Sequence, residues 1–168
     1  MTLPSVVDAN CLKYYQQERV AGREGEFTVA ISKLMAKGAL AIDSEGKALQ
    51  EYYDCCRPSA VGLNLSDWIS ERLVDGCIKM FDTDNSLTRE LLSLGLPRKD
   101  IKWPCIAKSS NSDIIVTEDI DLFEPTAKSR RAPEKERIKR ARTGCVCRHL
   151  ERQHSIRVLT SQHVRDEY

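Results

Sequence analysis

A chain of 168 residues, 41% of them hydrophobic, is long enough to bury a core without disulfide or metal staples, and a single domain over residues 1–168 is the expectation. Its formal charge of +1 hides an asymmetry. Residues 126–157 hold eleven Lys/Arg against three acids, a net +8, while the rest holds fifteen against twenty-two, a net −7.

An acidic body carrying a basic arm suits a polyanionic ligand drawn toward an acidic, metal-loaded centre. A solvated, Arg-rich surface helix is the plainer reading of the same residues. No apolar run is long enough to cross a bilayer, so no membrane partner is expected. The start, "MTLPSVVDAN", lacks the charged and long apolar regions of a signal peptide, and the cysteine count of seven is odd. Both features suggest a reduced, cytoplasmic protein.

In chain order, "LPSVVD" predicts a strand from about Leu3 to Val7 that ends at Asp8, with a helix beginning in "ANCLKYYQQER". A second helix follows in "EGEFTVAISKLMAKG", where Phe27, Ile31, Leu34 and Met35 share a face and Gly38 is the stop. "ALAID" predicts a second strand, Ser44 a cap for the next helix, and Leu49, Tyr52 and Tyr53 its packed side beside Glu51, with Arg57-Pro58 ending it. "NLSDWISERLVDG" is helical, "CIKMFD" alternates as a strand, and "SLTRELLSLG" is a short helix.

Pro104 is tolerated best in a first helical turn, so the next helix is expected to start close to Asp100. "DIIVT" is a strand, residues from about 126 to 154 form a basic helical insertion interrupted near Gly144, and "IRVLT" is the last strand. Strands separated by helices indicate an α/β sandwich with a mainly parallel sheet. In such a sheet the site lies at the carboxyl ends of the strands, where Asp8 and Asp119 both emerge.

The stretch "SDIIVTEDIDLFEP" runs a strand straight into Glu118, Asp119, Asp121 and Glu124. Acids are common in turns, but mutually repelling carboxylates gathered from several elements usually need a cation between them. Taken together and in this order, "VVDANCLKYY", "LQEYYDCC", "PRKDIKWPCIAKSSNSDIIVTEDIDLF" and "IRVLTSQHV" resemble the PIN domain of metal-dependent ribonucleases.

That resemblance implies a PIN-like three-layer sandwich and a divalent centre of Asp8, Glu51, Asp100 and Asp119. Asp8 and Asp119 are its direct ligands. Glu51 and Asp100 bind the metal or orient its water, Asp121 supports them, and Thr117 steadies a carboxylate or contacts phosphate. Glu45 and Asp54 compete with Glu51 for its place. The implied activity is endoribonuclease cleavage with Mg²⁺ or Mn²⁺, in some relatives as a toxin.

RNA is then the expected partner. Single-stranded DNA, an antitoxin-like protein and a second copy forming a homodimer are further partners the resemblance allows. Arg130, Arg131, Arg137, Lys139, Arg140 and Arg142 are the candidate phosphate contacts.

The bottom-up chemistry reaches the same class of reaction. Hard divalent ions prefer carboxylate oxygens, and such an ion lowers the pKa of a bound water and stabilises charge on phosphate oxygens. A catalytically silent nucleic-acid-binding or protein-interaction module of the same fold is the main rival, and a phosphatase for small esters is a third reading. Cys145, Cys147 and His149 in "CVCRH" raise a zinc site, although the C-x-C spacing is unusual and no fourth ligand is evident. Trp68, Trp103, Tyr14 and Tyr15 offer base-stacking rings, with core packing the plainer role for most of them. There is no phosphate-binding G-x-x-x-x-G-K-[ST] loop and no dinucleotide-binding turn.

Overall fold

The computed structural model describes residues 3–56 and 63–168. Among the described residues, five short strands carry the architecture: β1 (Val6–Val7), β2 (Leu40–Asp43), β3 (Ile78–Phe81), β4 (Ile114–Val116) and β5 (Arg157–Leu159). Every ladder is parallel, β4 lying between β1 and β5, and β2 beside β3. The two ladders meet at Ser5, whose N–H donates to Ala39 O (2.8 Å) and whose carbonyl accepts from Ala41 N–H (2.8 Å). The spatial order is therefore β3-β2-β1-β4-β5.

β1, β2 and β4 are buried at every position, as their Val, Ile, Leu and Ala content dictates for parallel strands covered on both sides. The cover comes from α1 (Ala9–Val20), α2 (Glu26–Lys37), α3 (Lys47–Cys55), α4 (Leu65–Val74), α5 (Thr88–Ser93), α6 (Lys102–Ser109), α7 (Ala132–Ala141), α8 (Cys145–His154) and α9 (Ser161–Glu167). The chain is thus α/β, with helices packed around a small parallel sheet. Among the described residues, no helix is long and apolar enough to cross a membrane.

Two large side chains tie the helices to the end of β1. Tyr52 of α3 donates its hydroxyl to Val7 O (2.6 Å), and its ring stacks on Trp103 of α6 with centroids 5.8 Å apart. Both rings are fully buried, so their neighbours Glu51 and Asp100 are held at the same edge of the sheet. Pro104 falls in the first turn of α6, where its missing N–H costs no helical hydrogen bond.

Several expectations change. The Asp43 carboxylate, not Ser44, caps α3, accepting from Lys47 N–H (2.8 Å) and Ala48 N–H (2.7 Å). Ser44 donates instead to Asp82 (2.7 Å). Tyr53 is exposed and does not share the packed side with Tyr52. "IRVLT" is the last strand but not the last element, because α9 follows it behind a reciprocal cap between Thr160 and His163. The expected stop at Arg57-Pro58 lies outside the described residues. Trp68, Trp103 and Tyr15 are core side chains, whereas Tyr14 is exposed and packs on Phe27 at a centroid distance of 4.9 Å.

Gly144 separates α7 from α8 for a steric reason. A β-carbon there would collide with the Phe123 carbonyl, which accepts from Val146 N–H (3.1 Å). Gly144→Ala is expected to cost about 1–3 kcal/mol, because backbone rather than a flexible side chain must give way. Urea denaturation of the variant checks this, and an unchanged midpoint would remove the constraint.

Candidate metal centre

The strand order places a topological switch between β1 and β4. From β1 the chain builds outward to β3 on one side, then returns to add β4 and β5 on the other, so the crevice beyond the carboxyl ends of β1 and β4 is the natural ligand position. Asp8 follows β1 at once, and Asp119 comes three residues after the end of β4, both at the carboxyl end of the sheet.

Asp8 sits at the N-cap of α1 yet makes no capping hydrogen bond, which removes the ordinary reason for an Asp at a helix start. Its Oδ2 accepts instead from the Thr117 hydroxyl (2.7 Å), and Thr117 Oγ1 in turn accepts from Asp119 N–H (2.9 Å). Thr117 thereby joins the two strand ends. Asp119 accepts from Asp121 N–H (3.0 Å), fixing the tight turn that brings Asp121 inward.

One carboxylate oxygen each from Asp100, Asp119 and Asp121 lies within 4.8 Å of the others. Asp8, Asp100 and Asp121 are 2%, 4% and 1% exposed, so these charges are held out of water. Asp100 Oδ2 and Asp121 Oδ1 are solvent-inaccessible and have no hydrogen-bond partner among the described residues. Orphaned oxygens of this kind are costly, and a divalent cation among them would remove the cost.

The electrostatics agree with this geometry. Burial pushes the Asp8 carboxyl up to about 6, opposed by the Thr117 hydrogen bond and reinforced by the charges of Asp119, Glu51 and Asp100. Burial likewise pushes Asp100 up to about 6, with Lys99 and Lys102 opposing and Asp119 and Asp121 reinforcing. A raised carboxyl pKa means that the folded chain holds its proton more tightly than the unfolded one. The resulting penalty is absent below about 3.8 and fully present once the pH has risen through about 6.

Glu51 acts on Asp8 from α3 and is ion-paired with Lys102. Its competitors point elsewhere: Glu45 pairs with Lys47 in solvent, and Asp54 accepts from Gln50 (2.8 Å) on the exposed side of α3. The other two acids of the loop after β4 also serve elsewhere. Glu118 accepts from Ser161 N–H (2.9 Å) at the start of α9, and Glu124 from Cys145 N–H (2.9 Å) at the start of α8.

Lysines border the acids. Lys128 Nζ lies 2.7 Å from Asp121 Oδ2 and Lys99 Nζ 3.9 Å from Asp100 Oδ1, while Lys99 and Lys102 also line a cleft with Lys47 and Arg98. Lys99 and Lys102 lie outside the basic segment that the charge count singles out, although "RKDIK" sets one lysine on each side of Asp100.

Of the basic residues expected to meet phosphate, Arg130, Arg131, Arg137 and Arg140 are exposed, and Arg142 is half-buried where α7 ends. Lys139 departs from that expectation. It is 7% exposed, with its ammonium 3.2 Å from Glu118 and 2.7 Å from Glu136, so its charge is used inside the protein. The Cys145, Cys147 and His149 grouping does not form. Cys145 Sγ faces Glu124 (3.5 Å), Cys147 Sγ is buried against Gly144 O (3.2 Å), and His149 meets Glu90 (3.2 Å). All seven cysteines are free.

No protein-family model, no curated protein and no solved structure matches this chain.

Proposed function

We propose that this chain is a metal-dependent endoribonuclease of the PIN type, acting in the cytoplasm with Mg²⁺ or Mn²⁺. The observation that carries the reading is the cluster of Asp100, Asp119 and Asp121 at the β1/β4 switch, with two buried carboxylate oxygens left unpartnered and Asp8 joined to it through Thr117. Glu51, ion-paired with Lys102, lies near enough for its charge to act on Asp8. When bound, the ion supplies a water of lowered pKa and stabilises charge on phosphate oxygens.

The chain's own residues do the rest. Asp100, Asp119 and Asp121 would hold the ion, and Asp8, linked to Asp119 through Thr117, would add a further carboxylate beside them. Lys99, beside Asp100, and the cleft it shares with Lys47, Arg98 and Lys102 would receive the phosphate backbone. A path of several cations favours a polymer over a small phosphate ester.

Neutralising Lys47, Arg98 and Lys99 together, or Arg130, Arg137 and Arg140 together, is expected to weaken RNA binding. The slope of log affinity against log salt should flatten by about 0.7 for each phosphate that is no longer neutralised. A slope unchanged in both sets would remove RNA from both surfaces.

A second reading has an observation of its own. Lys102 on Glu51, Lys99 beside Asp100 and Lys128 on Asp121 neutralise acids without a metal, as a silent module of the same fold would require. The chemistry of the products separates the two. A water nucleophile leaves no 2′,3′-cyclic phosphate, so RNA treated with the wild type and Mn²⁺ should yield fragments free of cyclic ends, and EDTA should stop their formation. RNA that is bound and never cut supports the silent module.

A further inference from the structure

A second cluster of ligating side chains lies away from the acidic centre. Glu90 of α5 faces His149 and His154 of α8, the two imidazoles approaching opposite oxygens of one carboxylate: His149 Nε2 to Oε2 at 3.2 Å and His154 Nε2 to Oε1 at 2.9 Å. One ligand atom from each residue lies within 4.8 Å of the others. The two rings meet edge to face with centroids 5.5 Å apart.

Hydrogen bonding accounts for only half of this arrangement. His149 Nε2 makes a hydrogen bond to Glu90. His154 Nε2 does not: despite its 2.9 Å approach it is solvent-inaccessible and has no hydrogen-bond partner among the described residues. A ring nitrogen buried against a carboxylate without hydrogen-bond geometry is left unpaired, and in the tautomer with the proton on Nδ1 it offers a lone pair to a metal.

The geometry points to a binding site for a borderline divalent metal, Zn²⁺ in the first instance, formed by Glu90, His149 and His154. Two imidazoles and one carboxylate select Zn²⁺ over Mg²⁺, which prefers an all-oxygen set. Zinc bonds of about 2.0–2.1 Å in a tetrahedron place neighbouring ligand atoms about 3.3 Å apart, so the ion would draw both nitrogens toward one carboxylate oxygen, from a set already within 4.8 Å. All three side chains are partly exposed, so the cluster lies near the surface, and with three protein ligands a fourth position would fall to water.

The ion would clasp α8 to α5 across a separation of 59 residues, and so fasten the basic insertion to the body of the protein. Because it binds only the folded arrangement, it would raise the melting temperature by mass action.

The test is calorimetric Zn²⁺ titration of the full metal-free chain in millimolar Mg²⁺, with Co²⁺ absorption as a spectroscopic readout. The double variant Asp8→Asn/Asp119→Asn should bind one Zn²⁺ as the wild type does and show the same visible Co²⁺ bands. His149→Gln, His154→Gln and Glu90→Gln should each weaken Zn²⁺ by about tenfold or more and abolish those bands. Gln keeps a hydrogen-bonding end at each partly exposed position, and circular dichroism verifies the fold. Cys145→Ser and Cys147→Ser should leave the titration unchanged. Wild type that takes up no Zn²⁺, uptake insensitive to all three Gln variants, or uptake lost in the Asp or Cys variants instead, would overturn the site.

Discussion

Asp119→Asn is expected to slow RNA cleavage by roughly a thousandfold while leaving the fold intact, the equivalent of about 4 kcal/mol of lost transition-state stabilisation. The change is close to isosteric. Asp119 is only partly buried, and its Oδ1 accepts from Asp121 N–H (3.0 Å), a bond that an amide oxygen can still make. Its own N–H donates to Thr117 through the backbone, so the link to Asp8 survives the substitution. What disappears is one negative charge from a set whose oxygens lie within 4.8 Å of one another. Single-turnover rates at saturating Mn²⁺, read beside a melting curve, check both halves of the expectation. A rate within a few-fold of wild type would remove Asp119 from the chemistry.

Asp8→Asn is expected to make the metal-free protein more stable, against the usual direction for a buried substitution. Asp8 is 2% exposed and its carboxyl is raised from 3.8 to about 6, mainly by burial. Holding it ionised at neutral pH therefore costs up to about 3 kcal/mol, which the neutral amide avoids. Asn can still accept the Thr117 hydroxyl.

In EDTA the variant should unfold at higher urea than wild type at pH 7.5, and the difference should shrink as the pH falls through about 6 toward 4. Mn²⁺ should reverse the ranking, because only the wild type keeps the charge that rewards the ion. Identical midpoints at pH 7.5 would mean that Asp8 bears no such penalty.

How far these features could be read in advance depended on how local their causes are. The strands were legible because parallel strands buried on both sides read as short apolar runs, and Asp8 and Asp119 were legible because the first ends one such run and the second lies in the turn just after another. The acids after β4 were not separable by sequence. Glu118 and Glu124 look like Asp119 and Asp121 until α9 and α8 return to claim them as caps. Asp43 also ends a strand, but its carboxylate is taken by the first turn of α3.

Charge counting located a basic arm but could not show that Lys139 turns inward to Glu118, since that pairing spans 21 residues. α9 escaped because its seven residues bury only Ser161 and Val164, too few to display a helical period, and its cap uses His163 where Glu or Gln is usual. His149 was noticed beside two cysteines, yet its nearest partner, Glu90, comes from another helix. Helical spacing predicts neighbours along one helix, whereas contacts between helices are set by packing.

The most direct measurement of the central claim is single-turnover cleavage of a mixed set of structured and unstructured RNAs by wild type, Asp8→Asn and Asp119→Asn, purified in parallel and assayed with Mn²⁺, Mg²⁺ or EDTA. The account predicts cutting by wild type that requires the metal, is silenced by EDTA and is lost in both variants, while RNA binding persists in all three. Metal-dependent cutting that continues in both variants would contradict it, as would wild type that binds RNA and never cuts it.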